Sequence, residues 1–322
     1  MVNLWYYFNR KGGYGMKRLL FIYNPIAGQG KIRSHLHSVL DCFVKQGYQV
    51  TAHPTQCAGD ARDTAARLGA GFDRVVCAGG DGTLHEVIGG LMQMPQRPGV
   101  GYIPLGSMND FSKNLRLPKS VVRRAALAAG ETLVPLDVGR FQEEIFVYVA
   151  AFGMFTDVSY RTPQEFKNTL GHLAYLFAGV TTLASIRSQQ ITAVHDGGVV
   201  TGEFIYGMVG NTVSVGGFQA MREEDVALDD GLFEVLLLKM PENMAQWQGV
   251  LHCLRTQEPD ESGAITLFRT KSVQFHSAAP VAWTLDGEFG GEHAQVTVEN
   301  LRHGIQFAVP SAPTQQRRPS TQ

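Results

Sequence analysis

Three glycine-rich turns, each following an apolar run, hold the residues best suited to chemistry. Gly79-Gly80-Asp81-Gly82-Thr83 is the densest of them. Its glycines let a backbone approach a polyphosphate with no Cβ in the way. Thr83 can cap a following helix and donate to a phosphate oxygen. Asp81 would set a carboxylate among those phosphates, which repel it unless it holds Mg²⁺ or a proton. Pro104-Leu105-Gly106-Ser107-Met108-Asn109-Asp110-Phe111 offers a hydroxyl, an amide and a carboxylate at a helix start, where an N-cap needs one of the three. Asn24-Pro25-Ile26-Ala27-Gly28-Gln29-Gly30-Lys31 superficially suggests a P-loop. It fails that pattern, with Pro25 at a required Gly and Ile32 at a required Ser or Thr. It also fails the dinucleotide fingerprint, with Arg33 at the third Gly. Two readings of this stretch stand side by side: a plain structural turn, or a turn whose free N–H groups receive an anion.

These turns need strands and helices to hold them. Residues 18–23 form a continuous apolar run of the kind expected of a buried parallel strand. A helix follows over about 31–45, then a strand at 48–53, a helix at 60–68, a strand at 74–78, a helix at 84–92 and a strand at 100–103. This βαβαβαβ order predicts a doubly wound parallel sheet, whose ligands bind beyond the carboxyl ends of the strands. From about residue 132 the pattern changes to strands at 134–141, 145–152, 191–194, 202–209, 232–238, 273–275, 281–285 and 295–298, with helices near 164–187 and 241–254. The expected fold is therefore α/β: an N-terminal doubly wound, Rossmann-like nucleotide domain over 16–131 and a second, antiparallel β-rich, sandwich-like domain over 132–302. Residues 303–311 are expected to return to the first domain. Residues 1–15 and 312–322 read as a disordered extension and a disordered tail.

Composition narrows the partners. The 322 residues are 44% hydrophobic and 18% charged, enough to bury a core. A net charge of −1 lacks the basic excess of a nucleic-acid binder. The chain has 36 glycines, where average usage of about 7% gives roughly 23, so tight turns or close backbone approaches must be numerous. No stretch reaches the roughly 18–20 apolar residues of a membrane-spanning helix. Residues 173–186 come nearest, and read equally as a core helix or a lipid portal. Cys42, Cys57, Cys77 and Cys253 form no C-x-x-C pair and no zinc spacing, which fits reduced thiols in a cytosol. His35 and His37 point to different helix faces, His85-Glu86 lacks the second His of a zinc-protease motif, and Trp283 reads as core.

In this order and spacing, N-P-x-x-G, G-G-D-G-T and P-L-G-[ST]-x-N-D-F resemble the catalytic domain of the diacylglycerol kinase family. That family includes bacterial soluble lipid kinases and, more distantly, sphingosine and ceramide kinases. Asp229-Asp230-Gly231-Leu232-Phe233-Glu234-Val235 and Leu285-Asp286-Gly287-Glu288 resemble its later D-D-G and D-G-E segments, so the likeness spans roughly residues 16–310. The resemblance implies that Asn24, Pro25, Gly28, Thr55, Ala78, Gly79, Gly80, Asp81, Gly82, Thr83, Leu84 and Ser107 contact ATP. It implies that Glu288 accepts the proton of a lipid hydroxyl, and that Asp230 with the carbonyls of Ala227 and Leu232 holds a structural Mg²⁺. A base must come within hydrogen-bond reach of its proton, and Glu288 is placed after a strand and before a loop at 289–292. Standing alone, D-G-E would normally be a hairpin loop. The carbonyl, carboxylate, carbonyl spacing suits a hard cation, and a type I turn around Asp230-Gly231 is the alternative. Two departures stand out. Ser107 replaces a commoner Thr but keeps the hydroxyl, and Gly89 stands where the family often has Asn, at a helix-interior cost of about 1 kcal/mol.

The leading expectation is an ATP- and Mg²⁺-dependent lipid kinase acting on diacylglycerol, cytoplasmic and visiting a membrane surface, with Asp81 as the alternative base. Dimerisation is left open. The rival readings are an NAD kinase-like enzyme phosphorylating a soluble nucleotide, and a silent lipid- or nucleotide-binding module.

Overall fold

The computed structural model describes residues 16–115, 117–153, 187–212, 214–215, 218–219, 227–256 and 263–310. The expected extension at 1–15, the tail at 312–322, and the helix over 164–186 with its portal at 173–186 lie outside the described residues.

The first part follows the apolar runs closely. Strands β1 (Lys17–Tyr23), β2 (Tyr48–Pro54), β3 (Arg74–Gly79) and β4 (Gly99–Pro104) pair in parallel in the order β2-β1-β3-β4. The central residues of β1, β3 and β4 are buried on both faces, because helices lie on each, while the edge strand β2 is largely exposed or half-buried. Helices α1 (Ala27–Lys45) and α5 (Val121–Ala128) place Ile32, Val39, Phe43, Ala125 and Ala128 against Leu19, Phe21 and Val76. Helices α2 (Asp60–Leu68) and α3 (Asp81–Leu91) place Ala61, Ala65, Leu84 and Ile88 against Leu20, Ile22 and Cys77. A short helix, α4 (Asp110–Lys113), follows β4. The ladder leaves little room between β4 and α5: a Cβ at Gly101 would stand 2.2 Å from the Ala128 carbonyl oxygen.

The remainder is built from antiparallel strands: β5 (Leu133–Phe141), β6 (Glu144–Phe146), β7 (Val149–Gly153), β8 (Gln189–His195), β9 (Gly198–Gly210), β12 (Phe233–Lys239), β13 (Ile265–Thr270), β14 (Ser272–Leu285) and β15 (Glu288–Ala308). Two short strands, β10 (Ser214–Val215) and β11 (Phe218–Gln219), form a separate hairpin, and helix α6 (Met244–Thr256) follows β12. Strands β7 and β8 each pair with both β9 and β14, so these strands curl around an apolar interior. Trp283 fills it, 2% exposed, with its ring centroid 4.8–5.2 Å from those of Phe141, Phe152 and Phe275. This agrees with the core reading of that residue.

Several details differ from the sequence reading, which expected neither strand β13 nor helix α5. Residues 145–152 are two strands, broken at Val147-Tyr148. Strand β14 is continuous, with a register shift between His276 and Val281 where two strands were expected. Strand β15 runs for 21 residues and begins at Glu288, so 289–292 continue a strand and are not a loop. Glycines at 290 and 291 and flanking acidic residues hide that strand from a propensity reading. The last turn of β15 also reaches β4, through the parallel pair Phe307 and Val100, which joins both parts in one 13-stranded sheet.

Gly101→Val should lower stability by about 1–3 kcal/mol by overpacking the β4–α5 contact. Thermal denaturation reads this, and an unchanged Tm contradicts the packing argument.

Candidate active site

Three turns meet at the carboxyl ends of β1, β3 and β4, held together largely through the backbone. The Asn24 amide donates to the Ala78 carbonyl at 2.8 Å, and the Leu105 amide to the Gly79 carbonyl at 2.8 Å. Gly28, Gln29 and Gly30 all take left-handed φ values of 56°, 62° and 75°, so regular helix begins at Lys31 as expected. A Cβ at Gly28 would stand 1.9 Å from the Leu105 carbonyl oxygen, so glycine lets the first turn lie on the third. The second and third turns touch as closely: a Cβ at Gly106 would stand 2.6 Å from the Gly80 Cα. Thr55 sits beside the end of β1, its amide donating to the Tyr23 carbonyl at 2.9 Å. Ser107 is exposed at the lip of the third turn, while Ala78 and Leu84 are buried beneath the second.

Thr83 does not act as a cap. Helix α3 starts at Asp81 with Gly80 as its N-cap, and no side chain caps it. Thr83 therefore lies inside the first turn, packed against Gly79. Asp81 occupies the first helical position. Its Oδ2 accepts the Asp110 amide at 3.0 Å, while its Oδ1 is buried and accepts no hydrogen bond. Burial, together with the carboxylates of Asp110 and Asp286, pushes the Asp81 carboxyl up to about 6 against the pull of the Asp110 amide. A buried carboxylate oxygen with nothing to bind is the group that a hard cation would satisfy. Asp110 lies beside it, 7% exposed, and Lys113 donates to its Oδ1 at 2.5 Å. Asp110 and Lys113 bring charge to this site. Asp110 was visible in the N-D-F turn, but nothing in the local sequence singles out Lys113.

The β-rich part contributes the D-G-E hairpin. Asp286 and Gly287 have φ of +51° and +87° between the paired residues Leu285 and Glu288. Positive φ at both central residues is the two-residue hairpin geometry that Asp-Gly favours, so the hairpin reading of this stretch is correct. The hairpin also carries Glu288 to the first part. The Glu288 Oε1 lies 3.2 Å from the place a Gly82 Cβ would take, against the glycine turn that opens α3. Glu288 is exposed.

Asp286 itself is 4% exposed and heavily engaged. Its Oδ1 accepts the amides of Tyr148 and Val149 at 2.9 and 3.1 Å, and its Oδ2 accepts the amide of Val147 at 2.7 Å. The break between β6 and β7 exists where these three N–H groups turn toward one carboxylate. A fourth donor comes from α3: His85 Nδ1 lies 2.8 Å from Asp286 Oδ2. Burial alone would lower the pKa of His85, and the Asp286 carboxylate outweighs it, so the net direction is up. His85 and Asp286 were missed as a pair because 201 residues separate them.

Ala227, Asp230 and Leu232 share one turn, as their spacing requires, but the Asp230 carboxylate is already occupied. Its Oδ1 accepts the Leu232 amide at 2.9 Å, and its Oδ2 pairs with the Arg269 guanidinium. The first of these contacts is an Asx turn, and a cation here would have to displace the second. The described residues contain no cluster of three His, Cys, Asp or Glu side chains placed to hold a metal.

Comparison with known proteins agrees with this arrangement. The family model for the diacylglycerol kinase catalytic domain matches residues 18–141. A diacylglycerol kinase from Bacillus subtilis (strain 168) is 34% identical over 307 residues, which are 94% of this chain and 99% of that protein. One from Staphylococcus saprophyticus is 33% identical over 296 residues, 92% of this chain and 96% of that one. Two solved structures from Bacillus anthracis str. Sterne share the fold. One has a TM-score of 0.80 at 24% identity, covering 94% of this chain and 99% of that chain. The other, a diacylglycerol kinase, has a TM-score of 0.72 at 22% identity, covering 93% and 99%. Identity of about a third over nearly the whole length, β-rich part included, means that the chain belongs to the diacylglycerol kinase family and is a lipid kinase.

Proposed function

We propose that this chain transfers the γ-phosphoryl group of ATP to the free hydroxyl of diacylglycerol, giving phosphatidic acid and ADP. The observation that carries the reading is the placement of Glu288, delivered by the β-rich part against Gly82 of the glycine turn. Residues 16–131, with 303–311, form the doubly wound, Rossmann-like ATP domain, and residues 132–302 form the sandwich-like lipid domain. ATP lies across the ends of β1, β3 and β4, in contact with Asn24, Pro25, Gly28, Thr55, Ala78, Gly79, Gly80, Asp81, Gly82, Thr83, Leu84 and Ser107. Glu288 removes the proton of the lipid hydroxyl, and the oxygen attacks the γ-phosphorus as the bond to the β-phosphate oxygen breaks. Asp81, beside Asp110, would hold Mg²⁺, which would supply positive charge to the transferred group. Lys113 tethers Asp110, and the Asp110 amide orients Asp81. Asp230 with the carbonyls of Ala227 and Leu232 would hold a second, structural Mg²⁺ only after Arg269 is displaced.

The lipid is met at a membrane surface by a cytoplasmic enzyme. No helix among the described residues is long and apolar enough to cross a membrane, and the contact proposed here is peripheral. Phe289, 56% exposed and adjacent to Glu288, gives that contact an apolar tip. Relatives matched through the β-rich part favour a lipid acceptor over a soluble nucleotide.

Glu288→Gln should lose about 10²–10⁴-fold in kcat while ATP binding persists. Labelled ATP with diacylglycerol-containing vesicles reads both, the wild-type label appearing in phosphatidic acid and the protein sedimenting with the vesicles. A near wild-type rate for the variant transfers the role of base to Asp81.

Asp81 makes a pH-dependent prediction. Its pKa in the fold, about 6, lies above the ordinary 3.8. Its contribution to stability is therefore full at low pH and is lost as pH rises through that interval. Without metal or nucleotide, Asp81→Asn should be more stable than wild type at pH 8 by about 1–3 kcal/mol and little different at pH 4. Equal Tm differences at both pH values refute an ionised, unsatisfied Asp81. Asp230→Asn tests the structural cation: Mg²⁺ should raise the Tm of the wild type and not of the variant, and an equal response in both removes the site.

A further inference from the structure

We propose that His85 is a positioning residue of the reaction: its Nδ1–H holds the Asp286 carboxylate and so fixes the hairpin that presents Glu288. The inference rests on the reading of Glu288 as the base.

Three observations carry it. The first is where the contact falls. His85 lies one helical turn after Asp81 on α3, and Glu288 lies two residues after Asp286, so the hydrogen bond at 2.8 Å joins the phosphate-side helix to the base-side hairpin. Both partners are buried, His85 at 7% and Asp286 at 4% exposure. The other three donors to Asp286 come from Val147, Tyr148 and Val149, within the β-rich part that also contains the hairpin. They hold the hairpin to its own sheet. The His85 bond registers it against α3, where the glycine turn begins.

The second is that the imidazole is itself held in one form. Arg62 Nη2 lies 3.3 Å from His85 Nε2. A guanidinium only donates, so Nε2 must present its lone pair to Arg62 and the ring proton must sit on Nδ1, facing Asp286. Arg62 is fixed in turn by Glu144 of β6, at 3.3 Å from Nη1. The chain of contacts Glu144, Arg62, His85, Asp286 therefore starts and ends in the β-rich part and passes through α2 and α3.

The third observation gives Gly89 a role. It stands one turn beyond His85, and a Cβ there would lie 3.4–3.7 Å from the Nε, Cζ and Nη2 atoms of Arg62. The guanidinium lies over the bare backbone of Gly89 on its way to His85. A side chain at 89 would share this face of the helix with the guanidinium. The helix-interior glycine leaves the lane open.

Asp286 takes φ +51° in a turn that Asp-Gly favours, so its identity serves the turn and its four donors at once. An Asn would satisfy the turn but would lose the acceptor capacity that four donors use.

The test separates the two nitrogens of the ring. In His85→Asn the side-chain amide nitrogen falls near the place of Nδ1 and still donates to Asp286. In His85→Gln it falls near Nε2 and does not. With ATP and diacylglycerol vesicles, His85→Gln should lower kcat about 10–100-fold, as loss of a supporting hydrogen bond at a catalytic group does, with the KM for ATP within about threefold of wild type. His85→Asn should recover to within about threefold of the wild-type kcat. In a Glu288→Gln background, His85→Gln should cost nothing further, because the group it positions is gone. Equal activity of the Asn and Gln variants overturns the proposal, as does a loss in the Gln variant confined to the KM for ATP or additive with Glu288→Gln. A near wild-type rate for Glu288→Gln alone overturns the base assignment instead. In that case faster amide exchange at residues 287–289 in His85→Gln than in His85→Asn decides whether His85 holds the hairpin.

Discussion

One buried carboxylate sets the geometry of this molecule. Asp286 gathers the amides of 147–149 and the imidazole of His85, and each donor explains a feature that looks arbitrary alone. The amides require the chain to leave the sheet between β6 and β7. The imidazole requires α3 to approach the β14–β15 hairpin within hydrogen-bond distance. A carboxylate removed from water at this depth costs several kcal/mol unless its lone pairs are filled. Filling them from two parts of the chain makes the burial of Asp286 and the docking of those parts one event.

The same logic runs in reverse at Asp81. There one oxygen is satisfied by the Asp110 amide and the other by nothing. The fold carries an electrostatic debt at the point where glycines 79, 80, 82 and 106 strip the backbone bare. A dry site with an uncompensated negative group and open N–H donors suits a cation and a polyphosphate arriving together better than it suits either alone. Stability is given up locally where charge must later be handled, as is usual at sites of chemistry.

Much of this was legible in the residues. The apolar runs of β1, β3 and β4 have no other use than a strand buried on both faces, and the left-handed stretch at 28–30 is visible in its glycines. The hairpin character of Asp286-Gly287 is equally plain. Long-range partners were not legible. Nothing near His85 announces Asp286, and nothing near Asp230 announces Arg269. The extent of β15 was hidden because Gly290, Gly291 and Glu292 are poor strand formers, held in place by the long ladder to β14. The break at 147–148 was hidden because Val147 and Tyr148 are good ones, pulled out of the ladder by a carboxylate more than a hundred residues away.

Strand β15 has a mechanical consequence. It starts at Glu288 and pairs near its end with the beginning of β4, so a single length of backbone runs from the hairpin that meets α3 to the fourth parallel strand. Its pairing with β5 slips between Leu301 and Ile305, where His303 takes φ +55° and its amide donates to the buried Asp137. Asp137 also accepts the Gly231 amide, next to Asp230. Residues 302–304 therefore act as a splice: Asp137 fills the gap in the ladder to β5 and ties it to the turn at Gly231, so β15 passes from the β-rich part to β4 without losing its hold on either.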